Sequence, residues 1–478
     1  MTSKPQLPSK RVNVAVNAGG AASARRRSRG WLIASAAAAF GLSVLHVQSV
    51  VESAVMHLSL CLGCFALLAK CGSRGLTDFA IRGLIITLPI SFRSILGTGY
   101  EEMPVSWFNL FEMLFVLCAF FRPVAVEQRC CKIWPPIVFC FLVAYLPAVA
   151  LGNDAASAFR QYLHFLAFGG LVLSAAQVQD LFARNEGDAY VRLYVMSVEV
   201  TAFTLLCQIA ASRLWGVTLG TQITMGGQRE AFGSSFTDFS YLSIFLATGA
   251  AMRYAAACAG ARGTVFLLGE VVALLMGSIL TTARSGLVAF ALGVIAWHVL
   301  RIGKVRTRQG ARTAALVVTA ASCVALVSVL GGLREDLLDD SGRREGYQIA
   351  LRAFQSTPWF GVGLGVTAYR ETVGQAIPHN SAIQYLVQGG LIGFSAFLLL
   401  GIALLRASVS SPAPILAAYL VALVGSLFVP DLINSRFFPV LSIFALASGQ
   451  EARWIAPTMR MTGSRERVPS PRQGGVVC

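Results

Sequence analysis

The chain has 478 residues, of which 55% are hydrophobic and 13% are charged, and its mean hydropathy is +0.66. Charged residues make up about a quarter of an ordinary soluble domain, so this composition excludes a soluble globular enzyme. Long apolar runs recur from residue 31 to residue 449 with short polar gaps. We therefore predict an all-α fold: a polytopic helical membrane domain over 31–450, flanked by disordered tails at 1–30 and 451–478.

The net charge of +16 is concentrated in three segments. Residues 1–30 carry seven Lys and Arg and no acid, residues 301–313 carry five and no acid, and residues 451–478 carry five against two acids. Lys and Arg accumulate in this way in cytoplasmic loops and tails of membrane proteins. No folded basic module accompanies the charge, so nucleic acid is not an expected partner.

Fourteen apolar segments approach the roughly 20 residues that a helix needs to cross a bilayer. They are predicted at 31–51, 53–69, 76–92, 105–121, 133–151, 159–177, 190–211, 237–255, 263–282, 285–300, 313–331, 382–405, 413–430 and 435–450. An even number places both tails in the cytoplasm. Arg82, Pro89 and Arg93 interrupt the third segment, which leaves a re-entrant or tilted segment as the alternative there.

Most of the eleven cysteines lie inside apolar runs, where a thiol packs as a small hydrophobic group. Cys61 and Cys64 have the spacing of half a zinc or redox site but lack a second pair. The vicinal pair Cys130-Cys131 is predicted to stay reduced in a cytoplasmic loop. The cysteines therefore predict neither a metal site nor a redox cofactor site.

The longest predicted extracytoplasmic loop covers about 332–381. Its residues Tyr347, Leu351 and Phe354 follow helical spacing, which predicts an amphipathic helix over 343–356 on the membrane surface, ended by Thr357-Pro358.

Alternating glycines, Gly361, Gly363 and Gly365, come next in this loop. Their spacing is not that of a dinucleotide-binding motif or a P-loop. Glycine tolerates close backbone approach and positive φ, so we predict a tight turn packed against the helices.

His379 is the only one of five histidines in a predicted extracytoplasmic loop. Its imidazole suits a general base at neutral pH, although a helix-end histidine with its tip in water is the simpler alternative. Asn380 is predicted to cap the following helix.

Two arginines are candidate anion-binding residues on the same face. Arg284 lies in the turn between two apolar helices, where an arginine faces a cavity, a partner or lipid phosphate. Arg229 lies in the glycine-rich segment Gly226–Gly233 and could instead form only an ion pair with Glu230.

An ordered set of motifs over about 220–405 resembles the bacterial O-antigen ligase and Wzy-type polysaccharide polymerase superfamily. The set is Arg229…Gly233, then Thr282-Ala283-Arg284-Ser285-Gly286, Arg344, Pro358-Trp359-Phe360-Gly361-Val362-Gly363-Leu364-Gly365, His379-Asn380 and Gly389-Gly390-Leu391-Ile392-Gly393.

The resemblance implies an inner-membrane enzyme that transfers a glycan from undecaprenyl pyrophosphate to a sugar hydroxyl on the periplasmic face, without a metal ion. It implies His379 as the base and Arg284, with Arg229 and Arg344, as ligands of the pyrophosphate, whose charge grows in the transition state. The expected partners are the lipid-linked glycan, an acceptor glycan or lipid A core, the bilayer, a flippase and a chain-length regulator.

Three alternatives remain open from the sequence. The modest loop favours an exopolysaccharide polymerase over a ligase that modifies lipid A core. Glu112, Glu199 and Glu270 within apolar runs would fit a proton-coupled transporter, unless they lie at the interface or pair with Arg82 or Arg93. A structural membrane subunit without chemistry is the third alternative.

Overall fold

The computed structural model describes residues 49–70, 75–95, 105–121, 133–182, 187–225, 229–236, 238–259, 263–301 and 343–448. The described residues are mostly α-helical, which confirms the all-α prediction. The parts of the prediction that lie outside them are both tails, most of the segment at 31–51, the vicinal Cys130-Cys131 pair, most of the basic 301–313 loop, the segment at 313–331 and the start of the 332–381 loop.

Every predicted apolar segment within the described ranges contains a helix. The helices are α1 Ser49–Lys70, α2 Leu76–Ile86, α3 Trp107–Phe120, α4 Trp134–Ala150, α5 Ala155–Gln177, α6 Gly187–Trp215, α7 Phe239–Cys258, α8 Thr264–Leu280, α9 Ser285–Arg301, α10 Arg343–Ser356, α11 Val366–Val373, α12 Ser381–Val409, α13 Ala413–Gly425 and α14 Phe437–Ser448. Short helical turns occur at Gln179–Leu181, Leu88–Ile90 and Leu432–Ser435.

Helix α7 lies at the centre of the bundle and is buried on nearly all sides, in contact with α6, α8, α9 and α13. Its many Ala, Gly and Ser residues allow the neighbouring backbones to approach closely. Ser243 shows this: its hydroxyl lies 2.7 Å from the Ser278 hydroxyl on α8 and accepts a 3.1 Å hydrogen bond from the Gly286 amide on α9. These contacts hold the α8–α9 turn against the start of α7.

Within the described ranges, α6 and α12 are the helices whose length and composition suffice to cross a membrane. Helix α2 has only 11 residues, a rise of about 16 Å, and a short 3₁₀ turn containing Pro89 follows it. That rise is about half the hydrocarbon thickness. The helix in the segment predicted at 76–92 is therefore interrupted, which agrees with the alternative of a re-entrant or tilted segment.

A β-hairpin that the sequence did not predict lies between the apolar segments predicted at 190–211 and 237–255. Strands β1 (Thr221–Met225) and β2 (Arg229–Ser234) pair antiparallel. The buried Gln208 side chain on α6 fastens both strands, donating to the Thr221 carbonyl at 2.9 Å and accepting from the Ser234 amide at 2.8 Å. The hairpin is thus anchored to the helical bundle.

The amphipathic helix is confirmed with the predicted bounds. The apolar side of α10 is covered by α11 and α12, with Ala350 buried against Tyr369, Ile377 and Val387. Leu351 is 41% exposed, so Ala350 takes the place in the buried stripe that the helical spacing gave to Leu351. Part of the apolar side of this helix therefore packs against protein, and its predicted place at the membrane surface stays a prediction.

The glycine-rich turn packs against the helices, as predicted, and it does so at a kink in α12. At the kink Gly390 has φ 61° and ψ −167°, and the Val387 and Gln388 carbonyls accept from the amides of Val362 (2.9 Å) and Gly363 (3.2 Å). A helix that continued without the kink would use those carbonyls internally.

Replacing Gly361 by alanine is expected to destabilise the protein by about 2–4 kcal/mol. Gly361 has φ +74°, and an added Cβ would lie 2.4 Å from the Val387 carbonyl oxygen. Gly374 is the matched control because it also has φ +74° but open space around it, so Gly374→Ala should cost only about 1 kcal/mol. Thermal unfolding of the purified variants measures both, and equal losses would contradict the packing argument.

Candidate functional site

The candidate site is built from helix ends and the hairpin at one end of the bundle. The Ser285 hydroxyl at the start of α9 donates to the Ser240 carbonyl in the first turn of α7 at 3.4 Å. The Thr282 hydroxyl before it donates to the Glu230 carbonyl on β2 at 3.5 Å. The α8–α9 turn, the start of α7 and the hairpin therefore adjoin one another.

Arg284 lies in this turn, half-buried, as the sequence predicted from its place between two apolar runs. The turn is tight: α8 ends at Leu280, α9 begins at Ser285, and Thr282 adopts φ 64°. Hydrogen bonds on both sides fix the backbone that carries the guanidinium. The Arg284 backbone is thereby held next to the first turn of α7.

His379 ends the loop that precedes α12 and is half-buried. The Tyr347 hydroxyl on α10 donates to the His379 carbonyl at 3.1 Å. Asn380 caps α12 as predicted, its side chain accepting from the Ala382 and Ile383 amides at 3.0 and 3.1 Å. The backbone of His379 is thus restrained by α10 on one side and by the cap on the other.

The electrostatic surroundings of His379 keep its imidazole neutral at pH 7. Burial lowers its pKa below the usual 6.5, the Asp238 carboxylate raises it in part, and the positive charge of Arg343 lowers it. A neutral imidazole is the form that can accept a proton. The buried Nδ1 makes no hydrogen bond within the described part of the chain, so the ring is not committed to a structural partner through that atom.

Two charged residues of the site were not identified from the sequence. Asp238 caps α7 by accepting from the Ser240 and Tyr241 amides, and its carboxylate also acts on His379. An acid before an apolar run is an N-cap signal, which is the one clue the sequence offered. Arg343 is half-buried and affects His379, whereas the predicted Arg344 is exposed.

Arg229 begins β2, opposite Met225 on β1. Its backbone belongs to the strand that adjoins the Arg284 turn, and its side chain is not among the parts of the chain that the structure describes. The neighbouring Glu230 forms an ion pair with Arg213 at 3.0 Å.

No group of three or more His, Cys, Asp or Glu side chains that could hold a metal ion occurs among the described residues. Cys61 and Cys64 are both buried, and the Cys64 thiol donates to the Ile86 carbonyl at 3.1 Å. The prediction that these two thiols pack as core residues is confirmed.

The acids that suggested a transporter take part in local polar contacts. Arg253 on α7 contacts Glu199 at 2.7 Å and Glu270 at 2.8 Å, and Glu112 accepts from the Asn109 amide group at 3.2 Å. Arg253, rather than Arg82 or Arg93, is thus the arginine in contact with Glu199 and Glu270. Arg82 bonds to Asp78 and Arg93 to Thr221.

Comparison with protein families gives a match between residues 271–398 and the model described as O-antigen ligase. The matched residues include the α8–α9 turn with Arg284, the glycine-rich turn, and His379-Asn380. Residues 271–398 are therefore similar to the O-antigen ligase family. The comparison confirms the resemblance seen in the sequence, and the family indicates a membrane-bound glycan ligase or polymerase. Arg229 precedes the matched residues. Comparison with curated proteins gives no match.

Two substitutions beside His379 are expected to shift its pKa in opposite directions. Asp238→Asn keeps the helix cap but removes the charge that raises the pKa of His379, so the acid limb of kcat/KM should move to lower pH. Arg343→Gln removes the charge that lowers this pKa, so the limb should move to higher pH. A pH profile of each variant measures this, and shifts in the same direction would contradict the arrangement.

Proposed function

We propose that the protein is a bacterial inner-membrane enzyme that transfers a glycan from undecaprenyl pyrophosphate to a sugar hydroxyl on the periplasmic face. The observation that carries this proposal is the family match, because the matched residues include both Arg284 and His379. The neutral imidazole and the neighbouring arginines supply the two functions that such a transfer needs. Those functions are proton removal from the acceptor and stabilisation of a pyrophosphate leaving group.

In the proposed reaction the acceptor hydroxyl oxygen attacks the anomeric carbon of the donor glycan. Its proton passes to a ring nitrogen of His379, and the bond between the anomeric carbon and the pyrophosphate oxygen breaks. The electron pair of that bond stays on the pyrophosphate. Arg284 binds the developing negative charge, which a planar guanidinium can contact through two hydrogen bonds. Arg343, Arg344 and Arg229 are further arginines that we propose as ligands of the pyrophosphate.

A polytopic membrane arrangement with both tails in the cytoplasm belongs to the same proposal. Several helices expose large apolar side chains, as α12 does with Leu398, Leu399 and Ile402. Exposed apolar stripes of this kind fit a lipid environment. The basic segments at 1–30, 301–313 and 451–478 favour the cytoplasmic side for the tails and for that loop.

Between the two acceptor classes we favour an exopolysaccharide polymerase, which joins lipid-linked repeat units. The modest length of the loop around His379 favours it. A ligase that moves the finished glycan to lipid A core is the second candidate, and the description of the matched family favours that reading. A flippase would supply the donor in either case, and a chain-length regulator would act with a polymerase.

Deleting the gene in its native host and sizing lipid-linked intermediates, surface polymer and lipid A side by side tests the proposal. Accumulated single repeat units with loss of polymer identify a polymerase. Long lipid-linked chains that no longer reach lipid A identify a ligase. Unchanged glycans would contradict glycan transfer, and loss of proton-dependent uptake in the same strain would favour a transporter.

A further inference from the structure

The loop between α13 and α14 wraps the N-terminus of the helix that follows His379. The Ser381 amide donates to the Ser426 carbonyl at 2.9 Å. The Ser381 hydroxyl donates to the Val429 carbonyl at 2.8 Å and accepts from the Leu432 amide at 3.0 Å. Two residues after His379, the chain is therefore fixed to this loop by three hydrogen bonds.

Asp431 in the same loop is bonded to α12 through both its side chain and its backbone. Its side-chain Oδ1 accepts from the Tyr385 hydroxyl at 2.8 Å and from the Asn434 amide at 3.2 Å, and its own amide donates to the Gln384 side chain at 2.6 Å. Asp431 also adopts a left-handed conformation, φ 46° and ψ 67°, which among residues with a side chain is tolerated best by Asn and Asp. The position thus calls for both a side-chain acceptor and an unusual backbone conformation.

The same residue is bonded to a second helix of the site. The Tyr241 hydroxyl in the first turn of α7 donates to the Asp431 carbonyl at 3.3 Å. That turn is the one capped by Asp238, which acts on the imidazole of His379. Asp431 therefore connects the helix that follows His379 with the helix that begins beside Asp238.

A chain of buried glutamines extends this network to the glycine-rich turn. Gln384 donates to Gln388 at 3.0 Å, Gln161 donates to Gln388 at 2.9 Å, and the Gly365 amide donates to Gln161 at 2.8 Å. The three glutamine side chains are at most 5% exposed. Buried networks whose members are satisfied rigidify their surroundings.

We propose that Asp431 is a positioning residue that sets the place of His379 relative to Asp238, and this inference rests on the proposed function. It contacts neither reacting group directly. It acts through Gln384 and Tyr385 on α12 and through Tyr241 on α7. Position 431 requires an oxygen acceptor on a residue that tolerates a left-handed backbone, and it does not require a negative charge. Arg436 lies near enough to act electrostatically on the carboxyl group of Asp431.

Asparagine and alanine at position 431 separate these requirements. Asp431→Asn keeps an acceptor oxygen and tolerates the left-handed backbone, so activity should stay within about threefold of the wild type. Asp431→Ala removes the acceptor, and kcat should fall about 100-fold while KM for the donor changes less than about twofold. Tyr385→Phe removes the hydroxyl that donates to Asp431 and accepts from the Ile433 amide, with little change in core volume, and should give a smaller loss of the same kind.

A readout that needs no substrate keeps this inference separate from the proposed function. NMR titration of the His379 ring, assigned by comparison with His379→Ala, should give a pKa closer to 6.5 in Asp431→Ala and Tyr385→Phe, because a loosened turn admits water. Asp431→Asn should titrate like the wild type.

Each outcome is decisive. If the wild type transfers no glycan but the Ala and Phe variants shift the His379 titration, glycan transfer is refuted while the positioning role stands. If Asp431→Asn is as damaging as Asp431→Ala, the charge is required and the positioning role is overturned. A His379 titration that is unchanged in Tyr385→Phe and in a folded Asp431→Ala protein would also overturn it.

Discussion

A His379→Ala variant is expected to lose glycan transfer by a factor of about 10²–10⁴, the range for removal of a general base. The loss should appear in kcat, since the imidazole is proposed to act on the acceptor proton in the transition state rather than to bind the donor. The wild-type activity should also fall on the acid side at a pH below 6.5, because burial lowers the pKa of His379 and protonation removes the base.

Transfer assays on membranes with matched protein levels measure this loss. His298→Ala is the control, because His298 lies in the last turn of α9, where its ring contacts the Tyr254 hydroxyl at 3.0 Å. That turn is at the opposite end of α9 from Arg284. Equal activity of His379→Ala and wild type would remove His379 from the mechanism.

An Arg284→Ala variant should lower kcat by about 10²–10³, comparable to the removal of one preorganised donor from an oxyanion site. The α8–α9 turn holds the Arg284 backbone beside the start of α7. Arg284→Lys should recover only part of the activity, because a lysine keeps the charge but lacks the planar pair of donors.

Kinetics of the Ala and Lys variants, with Arg370→Ala beside them, measure this prediction. Arg370 is an exposed arginine on α11, and its loss should leave kcat within about twofold. If Arg284→Lys matched the wild type, a point charge would suffice and the two-donor contact would be wrong. If Arg370→Ala were as damaging as Arg284→Ala, the effect would reflect general surface charge.

The sequence predicted the helices well because each apolar run, such as 237–255 or 382–405, carries its own signal in composition and length. It also predicted the helix ends at Asn380 and at Thr357-Pro358, which depend on local chemistry. The kink at Gly390 was not predicted, since a glycine in an apolar run does not reveal which loop will use the freed carbonyls.

Contacts between distant segments account for the features that the sequence did not reveal. The hairpin at 221–234 depends on Gln208 of the preceding helix, and the burial of α10 depends on α11 and α12 folding over Ala350. No local pattern reports such partners. An apolar stripe along a helix predicts that this side is covered, but it does not predict whether protein or lipid covers it.

The residues of the candidate site likewise divide into those that the sequence predicted and those that only the fold brings together. His379 and Arg284 were found from the sequence because each is a singular polar residue at the end of an apolar run. Asp238, Arg343 and Asp431 act on or position these residues across more than 30 positions in the chain, so only the fold brings them together. Neighbouring arginines at 343 and 344 point in different directions on one helix, and the sequence favoured the exposed one.

The most direct test is to supply purified protein in liposomes with a single donor, an undecaprenyl-pyrophosphate-linked repeat unit, and to quantify free undecaprenyl pyrophosphate together with the elongated glycan. We expect one carrier molecule to be released for each glycosidic bond formed by the wild type, and neither product to form with His379→Ala. If the wild type forms neither product with this donor or with a lipid A core acceptor added, glycan transfer from the pyrophosphate carrier is contradicted.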